Sequence, residues 1–155
     1  MRTGVRLGVD VGTVRIGIAR SDASGTLAVP LEAIRAGADS TADVAGLVHE
    51  WDAIEVVVGL PLSMSGEEGS AAAAARTWAA ALAAHIDVPV RLVDERLSTV
   101  QAQRALHAGG RSTRQSRSLI DSASAVMVLQ ADLDREAAQA GTPGRESRSG
   151  EGAPA

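Results

Sequence analysis

Polar and apolar residues follow two rhythms along this chain, and the first is that of strands. Residues 6–11 form a short apolar run, Gly12-Thr13 turns the chain, and residues 15–20 alternate, which together reads as a hairpin. Ser21-Asp22 and Ser24-Gly25 punctuate the next turn. Residues 27–34 give a third strand, with Pro30 placing it at an edge or a bulge. The rhythm then changes. Ser40-Thr41 caps a helix in which Val44, Leu47, Val48 and Trp51 fall at i, i+3, i+4 and i+7 on one face. Residues 54–58 read as a strand buried on both faces, ended by Gly59-Leu60-Pro61. An alanine-rich helix follows over 71–85, with Ala74, Trp78, Ala81, Leu82 and His85 on one side. Pro89 breaks it before a strand at 90–93. Ser98 with Gln101 forms a capping box opening a helix that stops at Gly109-Gly110. A polar, arginine-rich loop covers 111–118, and a last helix spans 119–139 with the stripe Leu119, Ala123, Val126, Leu129 and Leu133.

The order β-β-β-α-β-α-β-α-α predicts an α/β fold: an antiparallel three-strand meander, then strands alternating with helices in one mixed sheet. From Gly141 the composition shifts to Gly, Ser, Pro, Arg and Glu, so 1–140 reads as the domain and 141–155 as a disordered tail. There is no internal repeat.

Composition narrows the chemistry more than the fold. The 155 residues contain no lysine, cysteine, tyrosine or phenylalanine, and all fifteen basic residues are arginine. Disulfides, thiolate nucleophiles and zinc-thiolate sites are excluded. So are a standard P-loop, a Schiff-base lysine and a platform stacking bases on several aromatics. Carboxylate, histidine, hydroxyl and guanidinium chemistry remains. A net charge of -4 argues against nucleic-acid binding by the whole surface, though not against a local arginine patch. No apolar run approaches a membrane span and the start is not a signal peptide, so the cytoplasm is the expected location.

The most informative stretch is Val9-Asp10-Val11-Gly12-Thr13-Val14-Arg15-Ile16-Gly17. An aspartate inside an apolar strand is costly to bury unless paired or bound to a cation, while the plainer reading is a residue starting a hairpin turn. The neighbouring glycines allow close backbone approach, as a phosphate at a strand end requires. The D-x-G pattern also occurs in actin-like and sugar-kinase ATPases. Glu95, in Asp94-Glu95-Arg96-Leu97-Ser98-Thr99, follows a buried strand, where carboxylates from neighbouring strands converge on magnesium. Its plain reading is half of a solvated pair with Arg96. Asp121 alone reads as an acid complementing a helix dipole. His49, His85 and His107 lack metal-ligand spacing, and both tryptophans read as packing. Arg111, Arg114 and Arg117 recur every three residues, either as a phosphate-contacting arm or as a solvated loop.

Taken in order, DVGTVRIGIARSD, VVGLPLSMSGEEG, VRLVDERLSTVQAQ and LIDSASAVMVLQADLD resemble the YqgF family across residues 6–134. That resemblance implies an RNase H-like mixed five-stranded sheet flanked by helices. It implies an acidic nuclease site in which Asp10, Glu95 and Asp121 are catalytic and hold magnesium or manganese (Mg2+ or Mn2+). The implied activity is phosphodiester hydrolysis, in processing of the 5′ end of pre-16S rRNA during ribosome biogenesis. The alternative is resolution of Holliday junctions in branched DNA. Arg111, Arg114 and Arg117, and with them Arg15 and Arg96, would contact the nucleic acid. A monomer or a homodimer suits these substrates, with no membrane partner. Two other readings stay open: a non-catalytic nucleic-acid-binding factor, and an actin-like ATP-binding protein, for whose paired lobes the chain is short.

Overall fold

The computed structural model describes residues 2–63, 65–95 and 119–152. Its strands are β1 (Arg6–Val11), β2 (Arg15–Ser21), β3 (Ala28–Arg35), β4 (Glu55–Leu60) and β5 (Val90–Asp94). Helices α1 (Ser40–Glu50), α2 (Ser70–Ala83) and α3 (Ala123–Gly152) join them. One mixed sheet has the order β3-β2-β1-β4-β5. The first three strands are the antiparallel meander, and β4 and β5 add in parallel beyond β1. The helix expected between Ser98 and Gly110 lies outside the described residues. No described helix is long and apolar enough to cross a membrane.

Alternation along the strands sorts side chains to two faces. Leu7, Val9, Ile16, Ile18, Val56 and Val58 pack against Val44 and Val48 of α1 and Ala79 and Leu82 of α2. Ala19, Ala28, Val57 and Val93 pack on the other face against Ala125, Val128, Leu129 and Leu133 of α3. Two expected details differ. The buried side of α2 is Ala72, Ala75, Ala79 and Leu82, while Ala74, Ala81 and His85 are exposed, because a run of alanines carries no period for its face to be read from. Ser40 does not cap α1; its hydroxyl donates to Gly37 O (2.8 Å) and accepts from Trp78 Nε1 (2.9 Å). At the chain end, the helical backbone of α3 runs to Gly152. Trp51, at the end of α1, lies under the Arg20 guanidinium, 4.4 Å from ring centre to Cζ.

The α3 face changes character along the strands. At the starts of β1, β4 and β5 it holds an ion-pair cluster. Arg6, fully buried, donates to Glu136 Oε2 (2.5 Å) and to the carbonyls of Gly4 and Arg2 (both 2.9 Å). Glu55, also buried, accepts from Arg2 (2.8 Å) and from Arg91, which reaches on to Asp132 (2.7 Å). Hydrogen bonding from Arg2 holds the Glu136 carboxyl down to about 2, against the opposing effect of burial. At Glu55 burial pushes upward, but Arg91 and Arg2 together outweigh it and its pKa is lowered. Carboxylates with depressed folded-state pKa values contribute stability above their unfolded values, which is lost as pH falls through the folded ones. Melting temperature is therefore expected to drop as pH falls from about 4.5 toward about 2, Glu136's folded value. A thermal-melt series at graded pH checks this; a flat profile over that window would show that the cluster does not hold the fold.

Candidate active site

Asp10 lies at the other end of the α3 face, and its surroundings follow from strand register. Asp10 pairs with Gly17 of β2, and Val9 pairs with Val58, which brings Gly59 of β4 alongside Asp10. Side chains on one rung share a face. Asp10 is thus flanked on both sides by residues without a side chain, and Gly8, two residues earlier on the same face, is a third. Each glycine is needed by something that approaches it. A Cβ on Gly8 would lie 2.7 Å from Leu129 Cβ, and one on Gly17 would lie 2.5 Å from the Asp121 carbonyl oxygen. On Gly59 it would meet Val128 Cγ2 at 3.2 Å and Glu95 Cδ at 3.4 Å. The glycines let α3 sit close to the sheet and leave a flat floor around one carboxylate. Gly59 was expected to end its strand; it lies inside β4 instead, in register with Val93, because the floor needs a glycine there.

Glu95 is the first residue after β5 and turns its carboxyl over Gly59 toward Asp10. The two carboxyls are hydrogen-bonded. Burial is the main cause that pushes the Glu95 carboxyl up to about 8, and the hydrogen bond and negative charge of Asp10 add to it. At neutral pH the Glu95 carboxyl therefore keeps its proton. Two such oxygen donors suit a hard divalent cation, and also general acid–base work.

Asp121 is brought near but not into this pair. Its backbone carbonyl stands over Gly17, while its half-exposed carboxylate pairs with Arg15 Nε at 3.3 Å. Among the described residues no three of His, Asp and Glu are close enough to hold a metal ion. Arg96, Arg111, Arg114 and Arg117 lie outside the described residues.

One further residue fixes this corner. The β2–β3 register shifts between Ile16 and Ile18, so a bulge leaves backbone groups without strand partners. The Ser122 hydroxyl, fully buried, accepts from Ile18 N (3.0 Å) and donates to Leu31 O (2.7 Å). It thereby pins the lead-in to α3, and Asp121 with it, onto the sheet. Its only trace in the sequence is a serine next to an aspartate. Ser122→Ala leaves a buried donor and a buried acceptor unsatisfied and is expected to cost about 2–4 kcal/mol. Chemical denaturation measures this; a cost under about 0.5 kcal/mol would place it with ordinary surface substitutions and remove the clamp.

The family described as "RuvX: Holliday junction resolvase" matches residues 4–135, the whole sheet and the packed part of α3. This chain belongs to that family. The RuvX match and the YqgF resemblance of the four motifs point to the same family. A protein of Thermobifida fusca (strain YX) is 54% identical over 144 residues, covering 88% of this chain and 91% of its own length. One of Leifsonia xyli subsp. xyli is 48% identical over 147 residues, covering 93% and 94%. Both carry the name "Putative pre-16S rRNA nuclease". Among solved structures, T. thermophilus RuvC in complex with Holliday junction substrate aligns with a TM-score of 0.57 at 17% identity, covering 86% of this chain and 96% of that one. The Fowlpox virus resolvase in complex with Holliday junction DNA gives 0.54 at 11% identity, covering 84% and 97%. At such identities the agreement is one of fold, and the RNase H-like sheet of the family is the sheet described above.

Proposed function

We propose that this chain is a metal-dependent nuclease that hydrolyses phosphodiester bonds, with Asp10, Glu95 and Asp121 as its catalytic, metal-holding residues. The observation that carries this reading is the hydrogen-bonded Asp10–Glu95 pair on its glycine floor. Two carboxyls held face to face form a donor set that fits magnesium or manganese, whose charge would replace the proton on Glu95. Such an ion, when bound, supplies activation of a water and stabilisation of the leaving oxygen. Asp10 and Glu95 would hold it on the floor. Asp121, now paired with Arg15, would hold it from the α3 side. Arg15, with Arg96, Arg111, Arg114 and Arg117, contacts the phosphate backbone, because no lysine exists to do so.

For the substrate we favour the 5′ end of pre-16S rRNA, acted on in the cytoplasm during ribosome biogenesis. The names of relatives near 50% identity support it. Branched DNA is the second reading, supported by the family description and by the junction complexes among the fold's neighbours. The deciding experiment offers precursor rRNA ends and four-way DNA junctions side by side to wild type and to Asp10→Asn, with each metal. Cleavage of RNA ends alone supports the first reading, and cleavage of junctions alone the second. Cleavage that Asp10→Asn leaves unchanged would end the assignment of the site.

A further inference from the structure

Two rungs beyond Asp10 and Gly17, toward the hairpin turn, β2 and β3 place Arg15 directly opposite Arg35. Two observations fix how these side chains stand. Arg15 shares its face with Gly17, the α3 face, since it lies two residues away on the same strand. The hydrogen bond from Ala36 N to Val14 O (2.9 Å) flanks the Arg15–Arg35 pair. That makes it a non-hydrogen-bonded pair, in which opposed side chains come closest. Like charges directly opposed on a sheet are destabilising, and both arginines are exposed. Arg15 is offset by Asp121, at 3.3 Å. Among the described residues no carboxylate pairs with Arg35. The two guanidiniums therefore form a cationic notch about 7 Å along the strands from the Asp10 rung. It opens on the same face as the carboxyl pair.

We infer that Arg15 and Arg35 form a two-arginine clamp for a backbone phosphate of the bound nucleic acid, with Asp121 occupying Arg15 until substrate arrives. The inference rests on the nuclease reading of the site and adds to it a place for the next stretch of the chain being cut. A phosphate between the guanidiniums relieves their repulsion and takes charge-assisted hydrogen bonds from both. It also frees the Asp121 carboxylate, so substrate docking and completion of the acidic site are one exchange of partners. The like-charge pair costs the free protein some stability, which a phosphate ligand recovers on binding.

The test is fluorescence anisotropy with a labelled RNA duplex and a labelled four-way DNA junction, in EDTA, at about 50 to 200 mM salt. Arg35→Gln is expected to weaken binding about five- to tenfold on any sequence, as for loss of a charge-assisted contact, and to flatten the log–log salt slope by about 0.9. Arg35→Lys should keep the slope while losing part of the affinity, since it retains charge without the planar fork. Asp121→Asn should tighten binding, and most of that gain should vanish in Asp121→Asn/Arg15→Gln. Arg35→Gln should also melt no lower than wild type. Wild-type affinity and slope in Arg35→Gln would overturn the clamp and leave the nuclease reading standing. A melting temperature several degrees lower would overturn it too, by showing the pair to be structural. An Asp121→Asn gain of equal size without Arg15 would overturn the exchange. A wild type that neither binds nor cleaves nucleic acid would remove the nuclease reading together with the clamp.

Discussion

Asp10→Asn is expected to lose cleavage by at least about a hundredfold, the order seen when one preorganised charge-stabilising group is removed, while the protein becomes more stable at neutral and alkaline pH. The opposite signs come from one cause. Burial first, and Asp10 second, push the Glu95 carboxyl up to about 8. The folded state therefore binds a proton at Glu95 that the unfolded chain has already released, over the range from about 4.5, the ordinary carboxyl value, to about 8. Stability falls with pH across that window, because the protonated form favoured by folding is lost as pH rises through the folded value. Replacing Asp10 by a neutral amide removes the like charge and offers Glu95 a donor. Burial of Glu95 remains, so only part of the slope disappears. The gain should be largest above pH of about 8 and vanish below about 4.5. Thermal melts of both proteins across pH, beside cleavage assays, check both halves. A variant that is inactive and less stable at every pH would show Asp10 to be a structural residue.

The second large effect is expected from Gly17→Ala. Its Cβ would lie 2.5 Å from the Asp121 carbonyl and 3.1 Å from Ser122 Cα, both backbone atoms that cannot swing aside. The lead-in to α3 must lift, straining the Ser122 bonds to Ile18 and Leu31. Overpacking of this kind costs about 1–3 kcal/mol, and loss of the buried hydrogen bonds adds to it. Asp121 would move with the lifted backbone, so activity should fall further than stability alone accounts for. Denaturation midpoints and cleavage at a temperature where the variant is folded separate the two effects. Wild-type stability and rate would mean that α3 adapts at no cost.

Much of this was readable in the chain because strands and punctuating turns leave strong traces. The run at Arg6–Val11, the turn at Gly12-Thr13 and the break at Pro89 each fall where the structure places them. The third strand reads one residue early at both ends, as boundaries do where alternation fades. The buried side of α2 was hidden, because one alanine looks like the next until a partner selects a face. For the α3 stripe, Leu129 and Leu133 are buried as read, yet Leu119 is exposed and Ala125 and Val128 are buried in its stead. The close approach at Gly8 rotates that helix toward its small residues. The carboxylates Asp10 and Glu95 stood out as charges at strand ends, and the structure makes them neighbours. The roles of Ser122 and Arg35 did not, since they depend on a register shift and a cross-strand pairing. Neither is encoded by any local spacing.

The placement of the two tryptophans has an optical consequence. With no tyrosine or phenylalanine in the chain, Trp51 and Trp78 carry all of its near-ultraviolet emission. Both pack on the α1–α2 side of the sheet, one beneath Arg20 and the other bonded to Ser40. Their fluorescence reads that layer alone. A melt followed by emission and by far-ultraviolet dichroism would coincide if the molecule unfolds as one unit. If α3 peels away first, dichroism would move while emission stays fixed, and the layer carrying Asp121 would be seen leaving by its silence.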